Sequence, residues 1–151
     1  MNITKTVPKK VKDIMSTKLE TISTSKTAKD AAKKMMDKNV SSLLVVDQDD
    51  TLVGIVTERD IVRGVCIHDG NSKDYRIHHI MSSPISSITP DSPVEAAANM
   101  MLQEKVRHLV VKDGDRSVGI ITATNFIDYL DGELHLDKIN AKIIRTLKDE
   151  V

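Results

Sequence analysis

The chain contains an internal repeat, and this repeat limits the folds that are open to it. Ile14-Met15-Ser16 recurs as Ile80-Met81-Ser82, at an offset of 66 residues. Gly54-Ile55-Val56-Thr57 recurs as Gly119-Ile120-Ile121-Thr122, at an offset of 65. The repeat predicts two units, at residues 11–64 and 77–130. A polar linker, 65–76, joins them, and a tail, 131–151, follows the second unit. Each unit alone is too small to bury a substantial core, so we expect the two to pack together.

The order of secondary-structure signals is the same in both copies. A Ser/Thr-rich strand comes first, followed by an amphipathic helix, two short apolar strands joined by a polar turn, and a second helix. Ser92, Pro93 and Glu95 predict a capped start for the first helix of the second copy. The apolar helix positions predict core packing, and they are Ala28, Ala31, Ala32, Met35 and Met36, then Val94, Ala97, Ala98, Met101 and Leu102. The predicted fold is therefore α/β of the α+β kind: two βαββα units packed through their sheets with pseudo-two-fold symmetry.

Composition excludes several classes of partner. Twenty-two basic residues balance 22 acidic ones, so no bulk field attracts nucleic acid or an anionic membrane. No apolar run approaches the ~20 residues that span a bilayer. The single cysteine, Cys66, excludes an intrachain disulfide and fits a reducing compartment. We interpret Cys66 as structural and expect a cytoplasmic protein.

The tail carries its own pattern. Asp131-Gly132 is expected to end the last helix of the repeat. Leu136, Ile139, Ile143, Ile144 and Leu147 then predict a short amphipathic helix. Packing on the two units, a dimer interface and contact with a target protein all remain open for it.

The repeated residues resemble the CBS domain family. The resemblance rests on Asp13-Ile14-Met15 and His79-Ile80-Met81, on the Ala-Ala helix, and on the element Gly54-Ile55-Val56-Thr57-Glu58-Arg59-Asp60. It implies a regulatory pair of CBS domains that binds AMP, ADP, ATP, NAD or S-adenosylmethionine in clefts between its units. It also implies that two copies form a homodimer, a disc of four CBS domains. This dimer would signal to a target protein whether the nucleotide is bound. No catalytic cofactor is expected, because the nucleotide is a regulatory ligand.

The strongest candidate site is the end of that element. The resemblance implies that Asp60 holds the ribose hydroxyls and that Thr57 contacts the phosphate, near the free N–H groups of a helix N-terminus. A purely local alternative is that Thr57 caps the helix while Asp60 favours its dipole. In the second copy Thr122 is retained but Asn125 replaces the aspartate, which leaves one acceptor oxygen and no charge. The Asp60 site is therefore expected to be the better ribose site.

The resemblance also implies that each site draws its adenine-facing wall from the other copy. The Asp60 site would use Ile85, Ser86 and Val106, and the Asn125 site would use Glu20, Val40 and Ser41. Arg107 and His108 stand where the first copy has Ser41 and Ser42, and they are candidate phosphate contacts. The alternative for each cation is a solvent-exposed charge.

Three functions compete on these grounds. The first is a nucleotide-sensing regulatory module, and the second is a structural, dimerisation or protein-interaction module with empty clefts. An enzyme ranks below both, because the sequence has no nucleophile–base pair, metal cluster or phosphate-binding glycine loop.

Overall fold

A computed structural model describes residues 9–133 and 145–149. The chain divides into two compact units. We call residues 19–85 the central unit, and residues 1–18 with 86–151 the terminal unit. The predicted tail-helix residues Leu136, Ile139, Ile143 and Ile144 lie outside the described residues, whereas 145–149 are helical.

The central unit holds one three-stranded mixed sheet with its helices. Its elements in chain order are β1 (Thr21–Ser23), α2 (Ala28–Lys38), β2 (Ser42–Val46), β3 (Leu52–Thr57), α3 (Glu58–Gly64), a 3₁₀ turn (Cys66–His68) and α4 (Ile77–Ile80). Strand β2 is central, parallel to β1 and antiparallel to β3. Its middle residues Leu43, Leu44 and Val45 are all buried, as the continuous apolar run predicts.

The terminal unit repeats this arrangement. Its elements are α1 (Val11–Ile14), β4 (Ser87–Ile88), α5 (Val94–Glu104), β5 (His108–Asp113), β6 (Arg116–Thr122) and α6 (Ala123–Glu133). Strand β5 lies parallel to β4 and antiparallel to β6. Each hairpin has a register shift at the same place, after Val45 in one unit and after Val111 in the other. The mixed α+β fold with two three-stranded sheets confirms the predicted fold class.

Each unit takes its opening segment from the other sequence repeat. Val11, which begins the first repeat, is fully buried in the terminal unit beside Ile88 and Leu109. Ile77, which begins the second repeat, is fully buried in the central unit beside Ile22. The compact units therefore differ from the repeats 11–64 and 77–130 in their first residues.

Backbone hydrogen bonds hold both opening segments in place. In the central unit the Ser82 N–H donates to the Ile55 carbonyl at 2.8 Å, and the Ile55 N–H donates to the Ser82 carbonyl at 3.0 Å. In the terminal unit Ser16 and Ile120 exchange the equivalent pair of bonds, each 2.9 Å long. An opening segment thus adds a short antiparallel bridge to the last strand of the sheet it covers.

An exposed ion pair also joins α1 to the rest of the terminal unit. The Lys12 ammonium lies 3.0 Å from the Asp91 carboxylate. Its hydrogen bond lowers the pKa of Asp91 and raises the pKa of Lys12. Both groups therefore stay charged around neutral pH, and the pair persists there.

Two local predictions are wrong at the helix ends. Helix α6 continues through Asp131-Gly132 to Glu133, because a single glycine weakens a helix without necessarily ending it. Ser92 does not cap α5, whose N-cap is Pro93. The Ser92 hydroxyl pairs instead with the Thr89 hydroxyl at 2.7 Å.

The apolar helix stripes are only partly core. Ala28, Ala31 and Met35 are buried as predicted, but Met36 is 76% exposed. On α5 the equivalent residue Leu102 is 77% exposed. The stripe is wider than the face that the sheet covers, so its outer edge is left on the surface of each unit.

Candidate functional site

The corner between β3 and α3 positions Thr57 and Asp60 against each other. Thr57 ends β3 in an extended conformation and is the N-cap of α3. Its hydroxyl accepts from the Asp60 N–H at 3.2 Å, while Asp60 Oδ2 accepts from the Thr57 N–H at 2.9 Å and from the Thr57 hydroxyl at 3.1 Å. The two residues form a reciprocal capping box, which is the local alternative weighed from the sequence.

Capping leaves one carboxylate oxygen of Asp60 for other partners. Both lone pairs of Oδ2 are used by Thr57, so only Oδ1 can face a ligand. That atom accepts a hydrogen bond from the hydroxyl of Ser82 at 3.3 Å. Ser82 lies on the opening segment of the second repeat. The repeated Ile-Met-Ser marks this position in the sequence, but the contact with Asp60 joins residues 22 apart and does not follow from the motif.

The helix start itself has few free donors. The Glu58 N–H donates to the Ser41 carbonyl at 3.1 Å, and the Asp60 N–H is used by Thr57. Two of the first three N–H groups of α3 are therefore already bonded. The expectation of a helix N-terminus with free N–H groups for phosphate is wrong in this respect.

The corner between β6 and α6 has the same capping box, formed by Thr122 and Asn125, but it leaves a different group for a ligand. Asn125 Oδ1 accepts from the Thr122 N–H at 2.8 Å and from the Thr122 hydroxyl at 3.1 Å. Because donors meet this atom, it is the amide oxygen, and both its lone pairs are used. What remains for a ligand is the Asn125 amide NH₂, a donor. The single acceptor expected from the sequence is thus consumed by the cap.

Two of the three predicted wall residues of the central unit lie beside its own corner. Ser41 contacts the start of α3 through its carbonyl, and Val40 lies next to it, half-buried. The Glu20 carboxylate lies 3.8 Å from the Lys34 ammonium, and the Glu20 carbonyl accepts from the Leu44 N–H. Ser41 and its neighbour Val40 therefore lie at the Thr57–Asp60 corner, whereas Glu20 contacts other parts of the same unit.

In the terminal unit the predicted residue that contacts the Thr122–Asn125 corner is Arg107. The Arg107 carbonyl accepts from the Ala123 N–H at 3.1 Å, which matches the Ser41 contact, and the Arg107 residue is exposed. Val106 and His108 flank it and are partly buried. The Ser86 hydroxyl donates to the Glu104 carboxylate. Ile85 is the last residue of the central unit.

A groove lies on the surface of the central unit between α2 and α3. It has a volume of about 620 Å³ and is lined by Met36, Val40, Ile61 and Val62, among others. Met36 and Val62 are exposed, the latter at 55%. We call this surface the α2–α3 groove. Its apolar side chains include Met36, which the sequence assigned to the core.

The described residues contain neither a cluster of metal-ligating side chains nor a membrane-spanning helix. Across residues 9–133 and 145–149 no group of three or more His, Cys, Asp or Glu side chains is arranged to hold a metal ion. Cys66 is an exposed free thiol on the 3₁₀ turn. Within the same ranges, every helix is too short or too polar to traverse a bilayer.

The CBS domain model matches the chain twice, at residues 11–66 and 77–132. Among curated proteins, YlbB of Bacillus subtilis is 36% identical over 115 residues, which cover 75% of this chain and 76% of that protein. The CBS domain-containing protein YhcV of the same organism is 33% identical over 74% of this chain and 78% of its own length. A homoserine O-acetyltransferase of Methanohalobium evestigatum also matches, but over 22% of its length.

Solved structures agree with the fold. A conserved CBS domain protein of Thermoplasma acidophilum superposes with a TM-score of 0.76 at 25% identity, covering 96% of this chain and 78% of that one. A hexameric CBS-CP12 protein from bloom-forming cyanobacteria has a TM-score of 0.76 at 27% identity, covering 96% and 92%.

Proposed function

Because the chain belongs to the CBS domain family, whose members are generally regulatory rather than catalytic, we propose that it binds an adenosine nucleotide and signals occupancy to a partner protein. The observation that carries the proposal is the Asp60 corner. There a carboxylate keeps one oxygen outside its capping box, facing a serine hydroxyl on the surface of the unit. A half-exposed carboxylate with an open acceptor suits the hydroxyls of a ribose.

The phosphate contact is proposed from the sequence. Arg107 carries a permanent charge and an exposed side chain, and its planar fork matches a phosphate. Val106 supplies an apolar surface beside it for a purine. The family resemblance pairs these residues, with Ile85 and Ser86, to the Asp60 corner, and pairs Glu20, Val40 and Ser41 to the Asn125 corner. No step of covalent chemistry is required of any of them.

Thermal unfolding tests the proposal directly. We expect at least one of AMP, ADP, ATP, NAD and S-adenosylmethionine to raise the melting temperature. At 100 times its dissociation constant a ligand stabilises the folded state by about 2.7 kcal/mol. For a chain of this size that corresponds to several degrees, at about 2–4 °C per kcal/mol.

Cytidine triphosphate at matched concentration and ionic strength is the control, since it carries the ribose and phosphates without a purine. If none of the five ligands shifts the transition beyond this control, the chain is not a nucleotide sensor of the expected class.

The α2–α3 groove supports a second proposal, that two copies of the chain associate. Burial of exposed apolar side chains such as Met36 and Val62 in an interface lowers the free energy of association. Leu102 repeats the position of Met36 on the terminal unit, so both units offer an apolar helix edge. This surface also favours the alternative of an interaction module with empty clefts, in which association is the main activity.

Association predicts a dimer of about 33 kDa, twice the 16.7 kDa of the chain. We expect Val62→Glu to convert the dimer to a monomer at micromolar concentration, because burial of an unpaired charge in the interface is unfavourable. Light scattering coupled to gel filtration measures the mass. Lys33→Glu, an exposed change on the same helix pair, is the matched control and should leave the mass unchanged. A parent protein that is already monomeric at 100 µM contradicts the proposal.

A further inference from the structure

The hydroxyl of Ser82 lies next to Oδ1 of Asp60, the carboxylate oxygen that the capping box does not use. Its Oγ donates to Asp60 Oδ1 at 3.3 Å, and both residues belong to the central unit. Ser82 is exposed and Asp60 is partly exposed, so both residues lie at the surface of the protein.

The backbone around Ser82 fixes the position of this hydroxyl. The Ser82 N–H and carbonyl are both bonded to Ile55 on β3, and the next residue, Ser83, donates its hydroxyl to the Val53 carbonyl at 2.8 Å. Consecutive residues of the opening segment are thus anchored to one strand. The Ser82 side chain is held in place before any ligand arrives, which lowers the entropy cost of binding.

Counting acceptors shows why the aspartate alone is a poor receptor for two hydroxyls. Oδ2 of Asp60 is used twice by Thr57, and one lone pair of Oδ1 is used by Ser82. One acceptor position therefore remains on the carboxylate, whereas a ribose presents two hydroxyl donors. The Ser82 hydroxyl donates its proton to Asp60 and keeps its own lone pairs as acceptors.

We propose that Ser82 is the second half of a ribose receptor. Oδ1 of Asp60 accepts from one ribose hydroxyl, and Oγ of Ser82 accepts from the neighbouring one while donating to the carboxylate. The two acceptors are separated by about the length of a hydrogen bond, as are the two oxygens of a vicinal diol. The chain of bonds from ribose through serine to an ionised acceptor strengthens each member. This assignment rests on the proposed function, since it needs a ribose-containing ligand.

The other unit offers a matched control. Ser16 stands at the equivalent position in the first repeat, but its hydroxyl accepts from the Lys18 N–H at 3.3 Å. The residue at the corner there is Asn125, whose free group is a donor. Ser16→Ala therefore removes the same atoms from an equivalent segment without touching a carboxylate receptor.

Calorimetric titration with AMP and ATP, and with the 2′-deoxy and 3′-deoxy forms of each, tests the assignment. We expect Ser82→Ala to weaken ribonucleotide binding about three- to tenfold, the worth of one hydrogen bond. For one of the two deoxy forms, Ser82→Ala and the parent should have equal affinity, because that form lacks the hydroxyl that donates to Ser82. Ser82→Thr, which keeps the hydroxyl, should restore most of the affinity, and Ser16→Ala should match the parent.

Each contrary outcome has its own meaning. A parent that binds none of AMP, ADP, ATP, NAD and S-adenosylmethionine refutes the proposed function and this assignment with it. A parent that binds while Ser82→Ala binds equally well refutes only the role of Ser82. If Ser82→Ala weakens the ribo form and both deoxy forms by the same factor, Ser82 acts through the fold of its segment and is not a ribose contact.

Discussion

Asp60→Asn will weaken nucleotide binding about 10- to 100-fold while the unliganded protein keeps its stability. Hydrogen bonds to a charged group are worth about 1.5–3 kcal/mol, and each 1.4 kcal/mol is tenfold in affinity. Asparagine retains the one oxygen that Thr57 needs, as Asn125 does in the sibling corner with bonds of 2.8 and 3.1 Å to Thr122. The group turned toward the ligand changes from an acceptor to a donor.

The sibling corner supplies the reciprocal control. Asn125→Asp should keep the cap with Thr122 and give the terminal unit a carboxylate oxygen of its own, so it should not reduce affinity. Titration calorimetry measures the affinities, and thermal unfolding without ligand should differ from the parent by less than about 0.5 kcal/mol for both variants. Equal binding by Asp60→Asn and parent would remove Asp60 from the site.

Gly54→Ala should cost about 1–3 kcal/mol of folding free energy, because the opening segment lies directly on this glycine. A Cβ at Gly54 would stand 2.8 Å from the sulfur of Met81 and 2.9 Å from the carbonyl oxygen of Ser82. The methionine can turn away, but the Ser82 carbonyl is fixed by its bond to the Ile55 N–H. The segment must therefore move off β3, and Ser82 moves with it.

Urea unfolding measures the cost, and amide hydrogen exchange at Ser82 locates it. The Ser82 amide should exchange faster in Gly54→Ala than in the parent. Gly114→Asn is the control, because Gly114 has a φ of 62°, which asparagine tolerates, and no atom within 4 Å of a Cβ. A fully stable Gly54→Ala with an unchanged Ser82 amide would mean that the segment is not packed there in solution.

The secondary structure could be predicted because it rests on local signals that occur twice. Short apolar runs such as Leu43-Leu44-Val45-Val46 became central strands, and the stripe at Ala28, Ala31 and Met35 became the buried face of α2. The capping pair Thr57 and Asp60 was also foreseen as an alternative, since its spacing is local. In each case the decisive contacts join residues close in sequence.

What could not be predicted depends on contacts between distant residues. Nothing in the sequence shows that Val11 is buried with Ile88 and Leu109. The bond from Ser82 to Asp60 spans 22 residues and follows only from that exchange of segments. The surface exposure of Met36 likewise depends on how far the sheet extends under α2, which periodicity alone does not show.

The exchanged opening segments mean that a piece cut at the repeat boundaries is not a compact unit, whereas the stretch 19–85, which keeps the segment of Ile77, is one. A fragment cut at the repeat boundaries would carry the apolar Val11 with no core to receive it and would leave open the place that Ile77 fills. Neither repeat by itself therefore supplies all the core residues of one compact unit. A deletion of either repeat at its boundaries would remove a buried residue from the unit that remains.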